Sequence, residues 1–546
     1  MHHILTVLLF SLTIASCSGS SDSKTTTPPA EEEPEEQLAE GFGLTLTRIS
    51  SYSTGIYDES AAEIATFDPA SKRLFFVNAN AGLVEIIDFS DPSAPVKIDS
   101  IDVAEGDGEV NSIDVYNGVV AAAVQAGNKT GSGRVVFMNV SGEVLNTVRV
   151  GSLPDMITFT PDGKYVLTAN EGEPNEGYTI DPDGTVSIIN ISGGIANAAE
   201  ERVGFTESDI QGSIPVRIKA GTTFAKDAEP EYIAVSKDSK YAYVTLQENN
   251  AMAKINIAKG EVEFVKGLGF KDHSVEGNGM DARSRDDNAE TATLPVFGMY
   301  MPDSVSAYEI DGKTYLVTAN EGDSRDDWYP EDEPETSQIR DLPYPLSATA
   351  FTADQLTAFA DDDWYRRLEV SSVDGIENGE YTKLYTYGAR SFSIWDENLE
   401  QVFDSGDDFE TRLIALAAED GTTVFNASST NNSLDSRSNK KGPEPEGAEI
   451  AVIGGKTIAF IGLERAGGIM AYEVTNPTAP RHLTYVQNRN YIATGDIDED
   501  NFEAEGDLAP EGLIYISKKD SPSGKALLVV CNETSGTVTT YEINAE

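Results

Sequence analysis

The chain has 546 residues, with 92 Asp and Glu against 39 Lys and Arg, a formal net charge of −53 at pH 7 and a pI near 4.2. That length exceeds one ordinary core unless the core is built from repeats, the 39% hydrophobic content excludes general disorder, and so acidic a surface excludes nucleic acid as a partner. Two cysteines leave no disulfide framework and no Cys-rich metal cluster.

The first element in chain order is the apolar run 4–15 (ILTVLLFSLTIA), too short to cross a bilayer as a helix and typical of a signal peptide. It ends in Ile14-Ala15-Ser16-Cys17, which resembles the lipobox of bacterial lipoproteins, so residues 1–17 are expected to be a signal peptide ending at a lipidated Cys17. His2 and His3 stand where such signals carry Lys or Arg, and Ser18 after the cysteine favours the outer membrane. Residues 18–42 are an acidic, Pro- and Ser-rich linker kept extended by its own charge. The expected address is extracytoplasmic, at the outer membrane or cell surface, with the lipid anchor as the membrane contact. Cys531, in the apolar run ALLVVC, is expected to be buried and inert.

Beyond residue 43, short alternating or apolar runs are separated by Gly, Asn, Asp and Pro, the pattern of an all-β body. A unit recurs: an acidic or Pro-acidic step, a β-run, a turn, a second β-run, and an Asn/Glu/Gly-rich end. Its copies open at Glu63, Glu109, Pro154, Pro230, Pro302, Pro445 and Pro510. Seven copies of three or four strands predict a seven-bladed β-propeller spanning residues 43–546. The last copy is one strand short, and the β-run 44–49 (LTLTRI) has no partner of its own, so the two termini are expected to close one blade and remove an open sheet edge. The widest gap between openings, Pro302 to Pro445, predicts an insertion over about 323–440 on one face. It contains one expected helix, near 352–367 with Thr352 as N-cap, then β-runs at 381–387 and 391–395.

Several of these segments together resemble the choice-of-anchor I family, which takes in mesenchyme-specific cell-surface glycoproteins and bacterial relatives labelled alkaline-phosphatase-like. The segments are 153–174 (LPDMITFTPDGKYVLTANEGEP), 315–326 (YLVTANEGDSRD), 387–396 (YGARSFSIWD), 402–410 (VFDSGDDFE) and 439–450 (NKKGPEPEGAEI). The resemblance covers nearly all of 43–546 and implies a YVTN/WD40-like propeller, extracytoplasmic placement and a variable anchor, but no secure reaction.

The chemistry-bearing constellation is acidic. Inner strands of a propeller begin beside its central channel, so the opening acids Glu63, Glu109, Asp155, Glu231, Asp303, Glu446 and Glu511 should form a ring there. A second set, Glu171, Glu248, Glu321, Glu464 and Glu533, ends the second β-runs, with Asp323 just beyond. Two readings fit: the acids cap backbone N–H groups at strand ends, or they hold a hard divalent cation, Ca2+ or Mg2+. Asp155, Glu171, Glu231, Asp303, Glu321, Asp323, Glu446 and Glu511 are the candidate ligands. The loops 181–184 (DPDG) and 496–507 (DIDEDNFEAEGD) read as a hairpin turn and a solvated loop that offer weak calcium sites at most.

Arg325, Arg390 and Arg437, with Lys440 and Lys441, are candidates for an anion site at the channel mouth, the alternative being ion pairs that hold long loops in place. The sequence carries no C-x-x-C-H haem motif, no nucleotide-binding loop and no nucleophile elbow, and no catalytic residue is assigned. Two functions stay open. One is a lipid-anchored surface propeller that binds cations and an extracellular polymer, mineral or protein. The other is a metal-dependent phosphoesterase.

Overall fold

In the strand Arg73–Asn78, Leu74 and Phe76 pack with Leu527 and Val529, while Phe75 and Val77 pack with Val110 and Val120. Side chains alternate across a strand, so a run apolar at every position is buried between two other sheets. The same division recurs around the molecule. Seven apolar clusters each join residues of consecutive sheets, the last linking Ile516, Leu527 and Val529 back to Ala65, Leu74 and Phe76.

The protein, described by a computed structural model over residues 41–545 except 287, 327, 330–333 and 362–364, is an all-β propeller. Among the described residues are seven four-stranded antiparallel sheets. Their inner strands are Ala65–Asp68, Val110–Tyr116, Pro154–Phe159, Pro230–Val235, Val305–Ile310, Pro445–Ile453 and Pro510–Ile516. Each neighbours the next, and the seventh neighbours the first. These follow the seven openings read from the sequence, and the sheets are called blades one to seven below. The apolar run 4–15, Cys17 and linker residues 18–40 lie outside the described residues.

The N-terminal strand Leu44–Ser53 pairs with Thr537–Ala545 as the outer strand of the seventh blade, so the two ends of the chain share one sheet as expected. Phe42 and Leu44 are buried there with Leu528, Tyr541 and Ile543.

The expected insertion over 323–440 needs correction. Ser391–Asp396 and Gln401–Asp404 return to the fifth blade as its third and fourth strands, so the excess chain forms two separate excursions. The first, 321–390, contains the helix Ala353–Ala360, shorter than expected, with Thr352 and Gln355 bonded reciprocally at its start (3.2 and 2.8 Å). The second contains an unexpected helix, Asp408–Asp420, which buries Phe409 and Leu413 against the fifth and sixth blades and ends at Gly421 with φ 64°. The first excursion shares a small core with the link between the fourth and fifth blades, where Met280 and Val296 meet Ile339, Phe359 and Leu368.

Candidate cation site at the channel mouth

Five blades open with a proline, and four of the residues before those prolines, Leu153, Met301, Glu444 and Ala509, lie in the left-handed region (φ 49°, 42°, 52° and 58°). A non-glycine residue there costs roughly 1–2 kcal/mol, a strain that recurs where backbone placement matters. The carbonyls of Leu153, Glu444 and Ala509 accept the N–H of Glu171, Glu464 and Glu533 (2.9, 2.8 and 2.8 Å). Pairing register also breaks just after Pro154, Pro230, Pro445 and Pro510. Such a break re-aims the side chain inside it, here Asp155, Glu231, Glu446 and Glu511. Together these devices bring the opening acid of a blade and the acid after its second strand to one end of the channel.

Two triads result. Asp155, Glu171 and Glu231 bring one oxygen each within 4.8 Å of one another, and so do Asp303, Glu321 and Glu446. Both are built from the same three positions: the opening acid, the acid after the second strand, and the opening acid of the next blade. Glu321 also meets Glu444 and Glu464 within the same limit. Two carboxylates ~5 Å apart repel by ~3 kcal/mol at an effective dielectric near 20. Burial, followed by the charge of neighbouring acids, pushes Glu63, Glu171, Glu231, Asp303, Glu446 and Glu511 well above the usual carboxylate range, and Asp155 up to about 6. Burial likewise takes Glu248 to about 7 against the pull of Arg325, and Glu464 to about 8 although Arg465 lies 2.9 Å away.

Among the described residues, hydrogen-bond donors to the opening acids are few. Gln125 Nε2 donates to Glu109 (2.6 Å), but Oε2 of Glu63, Glu446 and Glu511 accepts no hydrogen bond from a described residue, nor does Oε2 of Glu248, a residue only 6% exposed. Glu63, Glu109, Asp155, Glu171 and Glu173 line an open cavity of about 490 Å3 over the first three blades. Below it, a second cavity of about 260 Å3 is walled by all seven inner strands, with Asp114 and Glu449 on its lining.

The basic candidates are placed differently from one another. Arg325 is fully buried, with Nη2 on Asp227 (2.9 Å), Nη1 on the Glu248 carbonyl (3.3 Å), and Glu229 and Glu335 at 3.9 and 3.7 Å. Burial still pushes Asp227 up despite that contact. Arg390 is buried on Glu410 (2.9 Å) and on the carbonyls of Asp281, Ser438 and Lys440 (2.7, 2.7 and 2.6 Å). Arg325 ties the first excursion to the fourth blade, and Arg390 joins the two excursions to the link between the fourth and fifth blades. Arg437 and Arg465 pair with Glu444 (2.5 and 3.4 Å), and Lys441 reaches it at 3.4 Å. Burial alone would raise Glu444, but these three cations outweigh it and hold its carboxyl at about 2. Asp323 sits beside Lys441 (3.7 Å) and lines a 210 Å3 pocket with Arg437 and Lys440.

Sequence reasoning missed Asp227, Glu229, Glu335 and Glu444, acids whose partners are set by long-range packing. For Glu229 and Glu444 a signal existed: each directly precedes an opening proline. In the 496–507 loop, Glu505 accepts the backbone N–H groups of Ile492 (3.0 Å) and Ala493, so its carboxylate is taken. Cys531 is buried and its thiol is pushed up by burial.

A family model, the choice-of-anchor I domain, matches residues 63–477. The chain belongs to the choice-of-anchor I family. Gigasin-3a from Magallana gigas is 32% identical over 186 residues, covering 32% of this chain and 64% of that protein. The mesenchyme-specific cell surface glycoprotein from Strongylocentrotus purpuratus is 25% identical over 355 residues, covering 59% of this chain and 41% of that protein. The matched stretches span less than two-thirds of either relative. Among solved structures, streptogramin B lyase aligns with a TM-score of 0.42 and 9% identity, covering 92% of this chain and 98% of its own. The WD40 domain of Toxoplasma gondii coronin aligns with a TM-score of 0.43 and 8% identity, covering 93% and 87%.

Proposed function

We propose that this choice-of-anchor I protein is a surface-associated binding module whose propeller holds a divalent cation, calcium first among them, at the carboxylate-lined mouth of its channel. The observation that carries the reading is the convergence of acids from successive blades into triads with oxygens within 4.8 Å, beside buried carboxylate oxygens that accept no hydrogen bond. Hard oxygen donors at that density suit Ca2+ or Mg2+, and a bound dication removes the repulsion that otherwise keeps these acids protonated. The family relationship to a protein named a cell surface glycoprotein supports placement at the cell surface. In this reading the run 4–15 and Cys17 supply a bacterial lipid anchor, and the ligand is an extracellular polymer, mineral or protein. Arg325 and Arg390 are committed to internal carboxylates, which leaves the phosphoesterase alternative without its anion-holding arginines.

Thermal unfolding during a calcium titration tests the proposal. A ligand that binds only the folded state stabilises it by about 2.7 kcal/mol at a hundredfold excess over Kd. The melting temperature should climb steadily with calcium and return on chelation. A midpoint indifferent to both Ca2+ and Mg2+ through the millimolar range would overturn it.

A further inference from the structure

Three of the opening acids belong to consecutive blades that meet at the ring's closure: Glu446 on the sixth, Glu511 on the seventh and Glu63 on the first. The sixth and seventh blades open with Pro-Glu-Gly, whereas elsewhere the residue after the acid carries a side chain (Ile64, Val110, Met156, Tyr232 and Ser304). Close approach requires these two glycines. A Cβ at Gly447 would collide with the Glu511 carbonyl, and one at Gly512 with the Glu63 carbonyl, to which the Gly512 N–H donates at 3.2 Å. The three openings therefore lie nearer one another than a side chain at either glycine would allow.

The three acids line a chamber of about 40 Å3 to which all seven blades contribute, with Asp155 and Asp303 also on its wall. It shares Glu63, Asn111 and Asp155 with the open 490 Å3 cavity, and Ser112, Met156 and Tyr232 with the 260 Å3 cavity below, so it is the narrow step between them. Oε2 of Glu63, Glu446 and Glu511 is out of contact with solvent and accepts no hydrogen bond from a described residue. Among the described residues no Lys or Arg pairs with any of the three. Arg465 is taken by Glu464 (2.9 Å) and Glu444 (3.4 Å), and Lys441 by Glu321 (2.5 Å). Arg390 holds the lysine there through the Lys440 carbonyl (2.6 Å), beside Gly442 with φ 69°. Three carboxylate oxygens without solvent, donor or counter-ion require protons or a cation.

We infer that a single cation sits in this chamber, just inside the mouth, held by Glu446, Glu511 and Glu63 across the ring's closure, and that it is Ca2+ rather than Mg2+. This rests on the reading that the mouth binds a divalent cation, and it adds where, how many and which. The volume decides the choice of ion. At ~10–15 Å3 for each water, a 40 Å3 chamber admits an ion with only about two waters. Mg2+ dehydrates reluctantly and keeps several waters, whereas Ca2+ accepts about six to eight oxygens in flexible geometry, carboxylates among them as bidentate ligands. Asp155 and Asp303 stand ready to add oxygens, and the open cavity above gives the ion its route in. An ion so held joins the first blade to the sixth and seventh, where the two ends of the chain meet.

Isothermal titration of the full chain with CaCl2 tests the inference, because Glu63 and Glu511 belong to neither triad. The expected result is one site in the unaltered protein, weakened by about tenfold or more in both Glu63→Gln and Glu511→Gln, since calcium affinity follows the count of charged ligands. MgCl2 in excess should fail to displace the calcium. No binding by the unaltered protein would remove the underlying reading. A smaller loss in either variant, more than one site in the unaltered protein, or displacement by Mg2+ would leave that reading intact and overturn this inference. Each substitution removes one like charge from the ring and should fold, and the site count and the Mg2+ competition need no variant at all.

Discussion

Glu449 illustrates how differently one acid is treated inside the channel and at its mouth. It lies on the wall of the 260 Å3 cavity and accepts the backbone N–H of Tyr515 at 3.0 Å. Burial outweighs that bond and pushes its carboxyl up to about 7, with Asp114 adding to the rise. A carboxyl raised in the folded state contributes stability that is fully present below its ordinary value near 4.5 and lost as pH rises through 7. Urea unfolding at pH 5 and pH 8 should therefore show a loss that Glu449→Gln reduces by on the order of 2–3 kcal/mol. An unchanged pH difference in the variant would refute this. The opening acids were legible as residues because a Pro-acid step repeats at fixed places. What sequence could not supply was the company each charge keeps: Arg325 and Arg390 read as mouth residues, yet long-range packing buries them on Asp227 and Glu410.

Leu44–Ser53 is the element on which ring closure depends. Its ladder with Thr537–Ala545 joins the first described residues to the last, and Leu44 is buried among Leu528, Tyr541 and Ile543. Leu44→Ala removes packing that typically stabilises by about 2–5 kcal/mol at a buried site. Because this strand closes the ring, the variant's urea midpoint should fall as one cooperative transition. A separate early transition confined to the seventh blade would contradict closure by this strand. The element was legible from alternation alone, since LTLTRI stood without a partner. The helix Asp408–Asp420 was not, although Phe409 and Leu413 fall four apart and Gly421 follows. Nor was the return of Ser391–Asp396 to the fifth blade: it pairs with Lys313–Asn320 across a long excursion, and no local pattern records so distant a ladder.

At the scale of the whole molecule, seven apolar interfaces hold the ring and leave one end of its channel crowded with charge. The net charge of −53 is thus not spread evenly in its consequences. Acids in the outer loops meet water, whereas those at the mouth meet one another and, around Glu321, Lys441. Seven similar openings made the architecture readable; the difference between triads was not, because Lys441 sits far along the chain from Glu321 and its approach depends on Arg390 and Gly442. Anomalous diffraction from crystals soaked in Mn2+, an ion that accepts the same oxygen donors, tests the central claim most directly. The account predicts a strong peak among the carboxylates at the channel mouth; a mouth without a peak would contradict it.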